Sequence, residues 1–314
     1  MYGYDNYQKV KNEIEAKRLA AVARADERNA ALRIESEEIR EIDRELVTTG
    51  LRLFKIACDG GDITPLKERN LHLTKERRKI LVKLGYPEDY TEVKYSCPEC
   101  SDSGFVDMRM CRCFREALLK ENIKSSGIGK LIERQSFDNF DLSGFEDEES
   151  HRRMEYNFAT AKSFAENFGE GGKNLLFIGK TGTGKTHLST AIAKAVIERG
   201  YEVLYDSAQN IVSAFETDRF KSGYGPYEPK ADKYMECDLL ILDDLGTEFV
   251  NQFTVSCLYN LLNTRINKGL STVISTNLSP AELSSKYEDR IYSRIVGSDS
   301  QILLFVGKDR RLDG

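Results

Sequence analysis

Phe177–Leu188 reads FIGKTGTGKTHL. Within it, Gly179, Lys180, Thr181, Gly182, Thr183, Gly184, Lys185 and Thr186 match the pattern G-x-x-x-x-G-K-[ST] at every fixed position. The flanks agree with that pattern. Asn174 to Ile178 is a short apolar run of strand type, and His187 to Arg199 has helical composition and stops at Gly200. Glycines let a backbone fold around phosphate groups with its N–H groups pointing inward, and the helix that follows adds unpaired N–H groups and the positive end of its dipole. In such a cradle Lys185 reaches the β- and γ-phosphates of a nucleoside triphosphate, and the Thr186 hydroxyl ligates Mg²⁺.

Working outward, the chain from about Gln135 alternates apolar strands and helices. Strand-like runs lie at 174–178, 201–205, 238–242, 272–276 and 301–306, with helical stretches between them. Five short apolar strands separated by helices predict a parallel sheet covered on both faces, an α/β fold. The run Leu239-Leu240-Ile241-Leu242 ends in Asp243-Asp244, two carboxylates at the C-terminal tip of a strand, where open α/β sheets bind ligands. Asp243 is expected to hold Mg²⁺, directly or through water, and Asp244 to polarise or deprotonate an attacking water. Val273-Ile274-Ser275-Thr276-Asn277 is a strand ending in an amide; if it lies between the other two, Asn277 can orient the same water. Arg290 and Arg294 are spaced for one helix face. Arg310 and Arg311 follow the last strand.

The N-terminal third differs. Asn6 to Ala57 is rich in Glu, Arg, Ala and Leu, has no Gly or Pro until Gly50, and carries an apolar stripe through Ile39, Ile42, Leu46, Leu53 and Ile56. It predicts one long helix, stopped at Gly60-Gly61. A second helix is expected from about Pro65 to Leu84, with Lys67, Arg69, Lys75, Arg77, Arg78 and Lys79 forming either a solvated basic face or a platform for a partner protein. Then come Cys97-x-x-Cys100 and, ten residues on, Cys111-x-Cys113. Four thiols this close predict a tetrahedral structural Zn²⁺ site at about residues 95–115, whose metal supplies folding energy that so short a span cannot draw from a core; redox pairing and simple burial are the alternatives. The other cysteines, Cys58, Cys237 and Cys257, read as small apolar residues.

At 314 residues and a net charge of −5, the chain is long enough for about two domains and carries no overall positive field for nucleic acid. The expected division is 1–134, a helical N-terminal domain with the zinc element, and 135–314, the nucleotide-binding domain. Between Ala214 and Gly225, Phe215, Phe220 and Tyr224 interleave with Arg219 and Lys221. That spacing fits either stacking against single-stranded DNA or a helix with an ordinary core stripe. No apolar stretch approaches the ~18 residues of a membrane span, and the first residues do not look like a secretion signal, so a cytoplasmic location with no membrane partner is expected.

In the order GKTGTGKTHLSTAIA, LLILDDLG, STN, RIYSRI and GKDRRL, preceded by QSFDNFDL, the sequence resembles the AAA+ ATPases, and more narrowly the DnaC/IstB-like helicase-loader family. The resemblance covers roughly Gln135 to Leu312. The cysteine segment and the EIDREL helix are similar to the N-terminal parts of DnaC-like proteins of Gram-positive bacteria and their phages. The family likeness implies a P-loop sheet of five strands with the Lys185 strand near its centre, and His187 in the nucleotide site. It also implies Arg294 (or Arg290) as an arginine finger acting on a neighbour's ATP, and Arg311 (or Arg310) as a second sensor. Phe137 and Phe140 either line the adenine pocket or are core aromatics. The implied activity is ATP hydrolysis in an ATP-dependent homo-oligomer, with the replicative hexameric DNA helicase and single-stranded DNA as partners. Alternatives are an IstB-like transposition helper and a nucleotide-gated adaptor that hardly hydrolyses ATP. Many AAA+ proteins have Glu where this chain has Asp244, and the shorter arm suits a switch more than a motor.

Overall fold

The structure is a computed structural model that describes residues 4–143, 147–221, 229–297 and 300–307. It separates into two compact units, Lys9–Arg115 and the chain from Glu116 onward joined by the residues up to Gln8. The sequence places the division at residue 134 instead. The difference has a packing cause: Ile128 and Ile132 are buried in the core of the nucleotide-binding unit.

In the first unit the expected long helix is two, α1 (Tyr4–Glu35) and α2 (Glu37–Cys58). Ser36 interrupts them. Its backbone is extended and its Oγ accepts from the Ile39 N–H, while Glu37 and Glu38 occupy the first turn of α2, where negative charge favours a helix start. Helix α3 (Thr64–Lys83) follows, with Pro65 in its first turn. Leu32, Ile39 and Leu81 form a small buried cluster. Beside it the nearly buried Asp43 accepts from Arg33 at 2.7 Å and from Arg77 at 2.8 Å. Arg77 also donates to Asn29 and Thr91, and Arg69 grips Glu45 with two hydrogen bonds. The basic face of α3 is therefore partly consumed inside its own unit. Val47, Leu51 and Phe54 form an exposed apolar stripe on α2. A two-strand hairpin, β1 (Phe105–Val106) and β2 (Arg109–Met110), precedes α4 (Arg112–Ser125).

The second unit continues through the short helix α5 (Leu131–Arg134) and a 3₁₀ turn at Phe137–Asn139 to α6 (Glu148–Glu166), β3 (Asn174–Gly179) and α7 (Lys185–Glu198). Then follow β4 (Val203–Ser207), α8 (Ala208–Lys221), α9 (Asp232–Glu236), β5 (Leu239–Leu245), α10 (Gln252–Asn267), β6 (Ser271–Thr276), α11 (Pro280–Ile295) and β7 (Ser300–Phe305). The five strands of this sheet are parallel in the order β4-β5-β6-β3-β7. Side chains alternate across it. Leu175, Phe177, Leu239 and Ile241 face a core with Ile192 and Val196 of α7, and Leu176, Ile178, Leu240 and Leu242 face one with Leu258, Leu261 and Tyr287 of α10 and α11. Burial on both faces is why these strands read as continuous apolar runs.

The most deeply buried cation among the described residues of this unit is an arginine. Arg265 of α10 is fully buried, and its guanidinium donates to the carbonyls of Tyr234 (2.8 Å) and Cys237 (2.9 Å), to Thr272 Oγ1 (3.0 Å) and to the Ser271 carbonyl. It ties the end of α9 and the entry to β5 onto the start of β6. Nothing in the local sequence marks Arg265 as buried. Arg265→Met orphans several buried acceptors at once, each worth roughly 1–3 kcal/mol, so urea denaturation is expected to show a loss of about 3 kcal/mol or more.

Candidate nucleotide site and cysteine centre

The sheet order places the three strand tips side by side. The Lys185 loop follows β3, Asn277 follows β6, and Asp243-Asp244 end β5, with β6 between the other two. The Lys185 ammonium, 6% exposed, donates to the carbonyls of Gly179 (2.5 Å) and Lys180 (2.8 Å) and to Asn277 Oδ1 (2.7 Å). Lys185, Thr186, His187, Asp244, Asn277 and Gln135 stand in the wall of one cavity of about 250 Å³. A larger cavity, about 750 Å³, opens at the other ends of the strands, beside Asn174, Ser271 and Ser300, and holds none of the motif residues.

The loop glycines have two separate reasons. Gly184 begins the helix with φ +97°, a left-handed conformation costly for other residues. Gly179 is required by packing: a Cβ there would lie 2.3 Å from the Phe305 carbonyl oxygen of β7. Thr183 is buried and its hydroxyl donates to Lys180 O at 2.8 Å, closing the loop on itself.

Asp243 and Asp244 sit in unlike surroundings. Asp243 is buried, 8% exposed, and its carboxylate accepts from the hydroxyls of Tyr205 and Ser275. Burial, and then the Asp243 charge, push the Tyr205 phenol well above its ordinary range, so it remains a donor. Asp244 is exposed, takes a left-handed φ of +54°, and its N–H donates to Ser275 Oγ at 3.0 Å. One carboxylate is thus enclosed where a cation can be held. The other faces the cavity, where a water molecule can enter. Sequence reading passed over Tyr205 and Ser275. The only available signal was that each is a polar residue near the end of an apolar strand.

Beyond Asp244 the chain is anchored to α11. The buried Glu248 accepts from the Gly246 N–H at 2.9 Å and from the Tyr287 hydroxyl, and Lys286 donates to the Gly246 carbonyl. Sequence reading missed Glu248 as well. Helix α11 starts at the Ser279 capping box with Glu282, as its Ser-Pro sequence predicts, and kinks at Glu288, a non-glycine residue at φ +60°. Past the kink, Arg290 lies over the Tyr259 ring at 5.6 Å and 3.2 Å from Glu288, while Arg294 is exposed and has no polar partner among the described residues. Arg310 and Arg311 lie outside the described residues.

Phe137 and Phe140 both pack on Phe158 of α6, at 5.6 and 5.7 Å between ring centroids, as core aromatics do. Phe140 also reaches Gly184 and the His187 ring. His187 Nε2 lies 3.1 Å from Ser136 O and 3.0 Å from Asn139 Oδ1, so the ring fastens this entry segment to the start of α7. On α8, Phe215 packs against the core, the Arg219 guanidinium lies 5.2 Å over Phe253, and Phe220 is exposed. Ser222 to Gly225 of that stretch, Tyr224 included, lie outside the described residues.

In the first unit, the sulfurs of Cys97, Cys100, Cys111 and Cys113 all lie within 4.8 Å of one another, with Cys97–Cys111 at 3.8 Å and Cys100–Cys113 at 3.5 Å. A tetrahedron with zinc–sulfur bonds of ~2.3 Å has sulfurs about 3.8 Å apart, so the donor set fits the ion. The turns that bring them together are built for it. Asp102, buried, accepts from the Ser96 and Cys97 N–H groups at 2.8 Å, and the hairpin between the two half-sites turns at Asp107-Met108, both left-handed. Burial raises the Cys100 thiol, but the Gly104 N–H and the other thiols outweigh it and bring Cys100 down to about 7. Burial and the other three thiols push Cys113 up. The cluster favours a thiolate at Cys100 and opposes one at Cys111 and Cys113, a conflict that a dication resolves.

Residues 119–296 match the family model of IstB-like ATP binding proteins. The replicative helicase loader DnaC of Escherichia coli (strain K12) is 25% identical over 191 residues, which cover 61% of this chain and 75% of that one. An uncharacterised protein of the same strain, YdaV, is 28% identical over 183 residues, 58% of this chain and 69% of that one. Among solved structures, that of the DnaC helicase loader aligns with 24% identity and a TM-score of 0.48, covering 57% of this chain and all of that one.

Protein purified without chelator is expected to carry about one zinc per chain by elemental mass spectrometry, and Cys100→Ser with Cys113→Ser to carry none. The doubly substituted protein should become protease-sensitive between residues 95 and 115 while the nucleotide-binding unit keeps its thermal midpoint.

Proposed function

The chain belongs to the family of IstB-like ATP-binding proteins, and on that premise we propose that it is an ATP-hydrolysing loader of the replicative DNA helicase. The observation that carries the reading is the meeting of Lys185, Asn277 and the Asp243-Asp244 pair at one edge of the sheet, with Asn277 in hydrogen-bond contact with Lys185.

Each residue has a task in that chemistry. The loop Gly179–Thr186 wraps the phosphates with backbone N–H groups, and the N-terminus of α7 adds its dipole. Lys185, now shared between carbonyls and Asn277, turns to the β- and γ-phosphates. Thr186 and Asp243 would hold the metal, and Mg²⁺ there would supply positive charge to offset what builds on the phosphates. Asp244 takes up or polarises the proton of the attacking water, and Asn277 aligns that water. His187 keeps the 136–139 segment beside the nucleotide. Arg294, exposed and without a polar partner among the described residues, reaches the ATP of a neighbouring subunit, whereas Arg290 is occupied by Tyr259 and Glu288. Arg311 serves as the second sensor.

The helicase is held by the N-terminal unit, where the exposed stripe Val47, Leu51 and Phe54 offers an apolar face and structural zinc in the cysteine cluster keeps the unit folded. ATP binding orders contacts between copies of the chain, and hydrolysis on single-stranded DNA, met in part through Arg219 and Phe220, releases the loader. All of this takes place in the cytoplasm; no described helix is long and apolar enough to cross a membrane. The presence of a cysteine-bearing unit ahead of the ATPase favours a loader over a transposition helper.

Three measurements test this. Immobilised protein with ATP and Mg²⁺ is expected to retain the host's hexameric helicase; retention of a transposase and not of the helicase would transfer the assignment to the transposition reading. Asp244→Asn should keep ATP binding within about threefold and lower phosphate release by roughly 10²-fold or more. Neither Lys185→Ala nor Arg294→Ala subunits alone should turn over ATP, while their mixture should recover part of the activity because each active site draws its finger from the neighbour.

A further inference from the structure

Resting on this reading of the nucleotide site, we propose that Tyr205 is a positioning residue for Asp243, and that the Ser126-Gly127 step holds Tyr205 in place. A carboxylate has about four lone-pair positions. In Asp243 one on each oxygen is taken, Oδ2 by the Tyr205 hydroxyl and Oδ1 by the Ser275 hydroxyl. Gripped at both oxygens, the carboxylate cannot rotate about its last bond, and its remaining lone pairs keep a fixed direction. Both donors are neutral, so the full negative charge stays available for a cation.

The backbone of Tyr205 is fixed from outside the sheet. Strand β4 is an edge strand, paired on one side only with β5, where Tyr205 stands opposite Ile241. Its N–H donates to the Ser126 carbonyl at 2.6 Å. Gly127, at φ +80°, lies so close that a Cβ would come within 2.4 Å of the Tyr205 carbonyl oxygen. This step is itself rigid. Ser126 is fully buried with its hydroxyl donating to the Ile123 carbonyl at 2.7 Å, and Ile128 is anchored in the core. A displacement of residues 126–127 moves the Tyr205 backbone, and with it the phenol that steers Asp243. The segment that enters the ATPase unit thus has a direct mechanical hold on its metal-binding carboxylate.

The test uses the full chain and a fluorescent ATP analogue, titrated once with Mg²⁺ and once with EDTA. Wild-type protein that binds no nucleotide in either condition would refute the reading of the site itself, a result separable from any that concerns Tyr205. Given wild-type binding, Tyr205→Phe is expected to stay folded, keep the EDTA affinity and lose about tenfold of the gain that Mg²⁺ brings, since one hydrogen bond to a charged group is at stake. In an Asp243→Asn background the same substitution should change nothing further, because the phenol acts through that carboxylate. Gly127→Ala should reproduce the loss of Mg²⁺ gain with the phenol still present. A full Mg²⁺ gain in Tyr205→Phe, or losses that add in the double variant, would make Tyr205 a packing residue. A wild-type Mg²⁺ response in folded Gly127→Ala would remove the 126–127 step from the proposal.

Discussion

A nearly buried ammonium group holds the nucleotide edge of this protein together. Lys185 stands at the start of α7, yet it donates to two carbonyls at the end of β3 and to the amide oxygen that follows β6. Two adjacent strand tips are thereby held by one cation. The loop is already curved around this group, so on the proposed reading little ordering entropy would be lost if phosphates replaced the carbonyls as its partners. The strand order does the rest. With β6 between β3 and β5, the lysine, the amide and the acidic pair share one edge without any long-range reach by a side chain.

The charges on either side of this edge are managed in different ways. Asp243 and Arg265 are each surrounded by neutral hydrogen-bond partners, hydroxyls for the first and mainly carbonyls for the second. Neither has its charge cancelled by an opposite one. For Asp243 this leaves a field for a cation to satisfy. In the N-terminal unit the opposite solution appears: Asp43 is nearly buried between two arginines and has no charge to offer elsewhere. The two acids thus differ in their partners, neutral hydroxyls for Asp243 and arginines for Asp43, although both are little exposed.

Much of the nucleotide-binding unit can be read from the chain. Its strands are apolar runs of the right length, bounded by glycines and capped helices, and its nucleotide residues stand in a pattern with fixed spacing. The Ser279 cap and the Lys185 loop are local events, and local sequence encodes them. The parts that escaped are those made by contacts between distant residues. Tyr205, Ser275, Glu248 and Arg265 each take at least one partner from a segment 31 to 39 positions away. The break at Ser36 escaped for another reason: helix formers lie on both sides, and only its extended backbone and the acidic turn after it mark a boundary. The first glycine of the loop was explained by phosphate approach, but β7 demands it independently through the Phe305 carbonyl. The structural division lies earlier than residue 134, and Ile128 and Ile132 bury in the core of the nucleotide-binding unit, which no composition change announces.

The carbonyl cage around Arg265 carries one more implication. An ion pair weakens when its acid is protonated or when electrolyte screens it. Carbonyls do neither: they have no proton to gain within any ordinary acidity, and a fully enclosed guanidinium is out of reach of dissolved ions. The junction of α9, β5 and β6 should hold its shape through swings of acidity and salinity that loosen the exposed ion pairs elsewhere on the molecule.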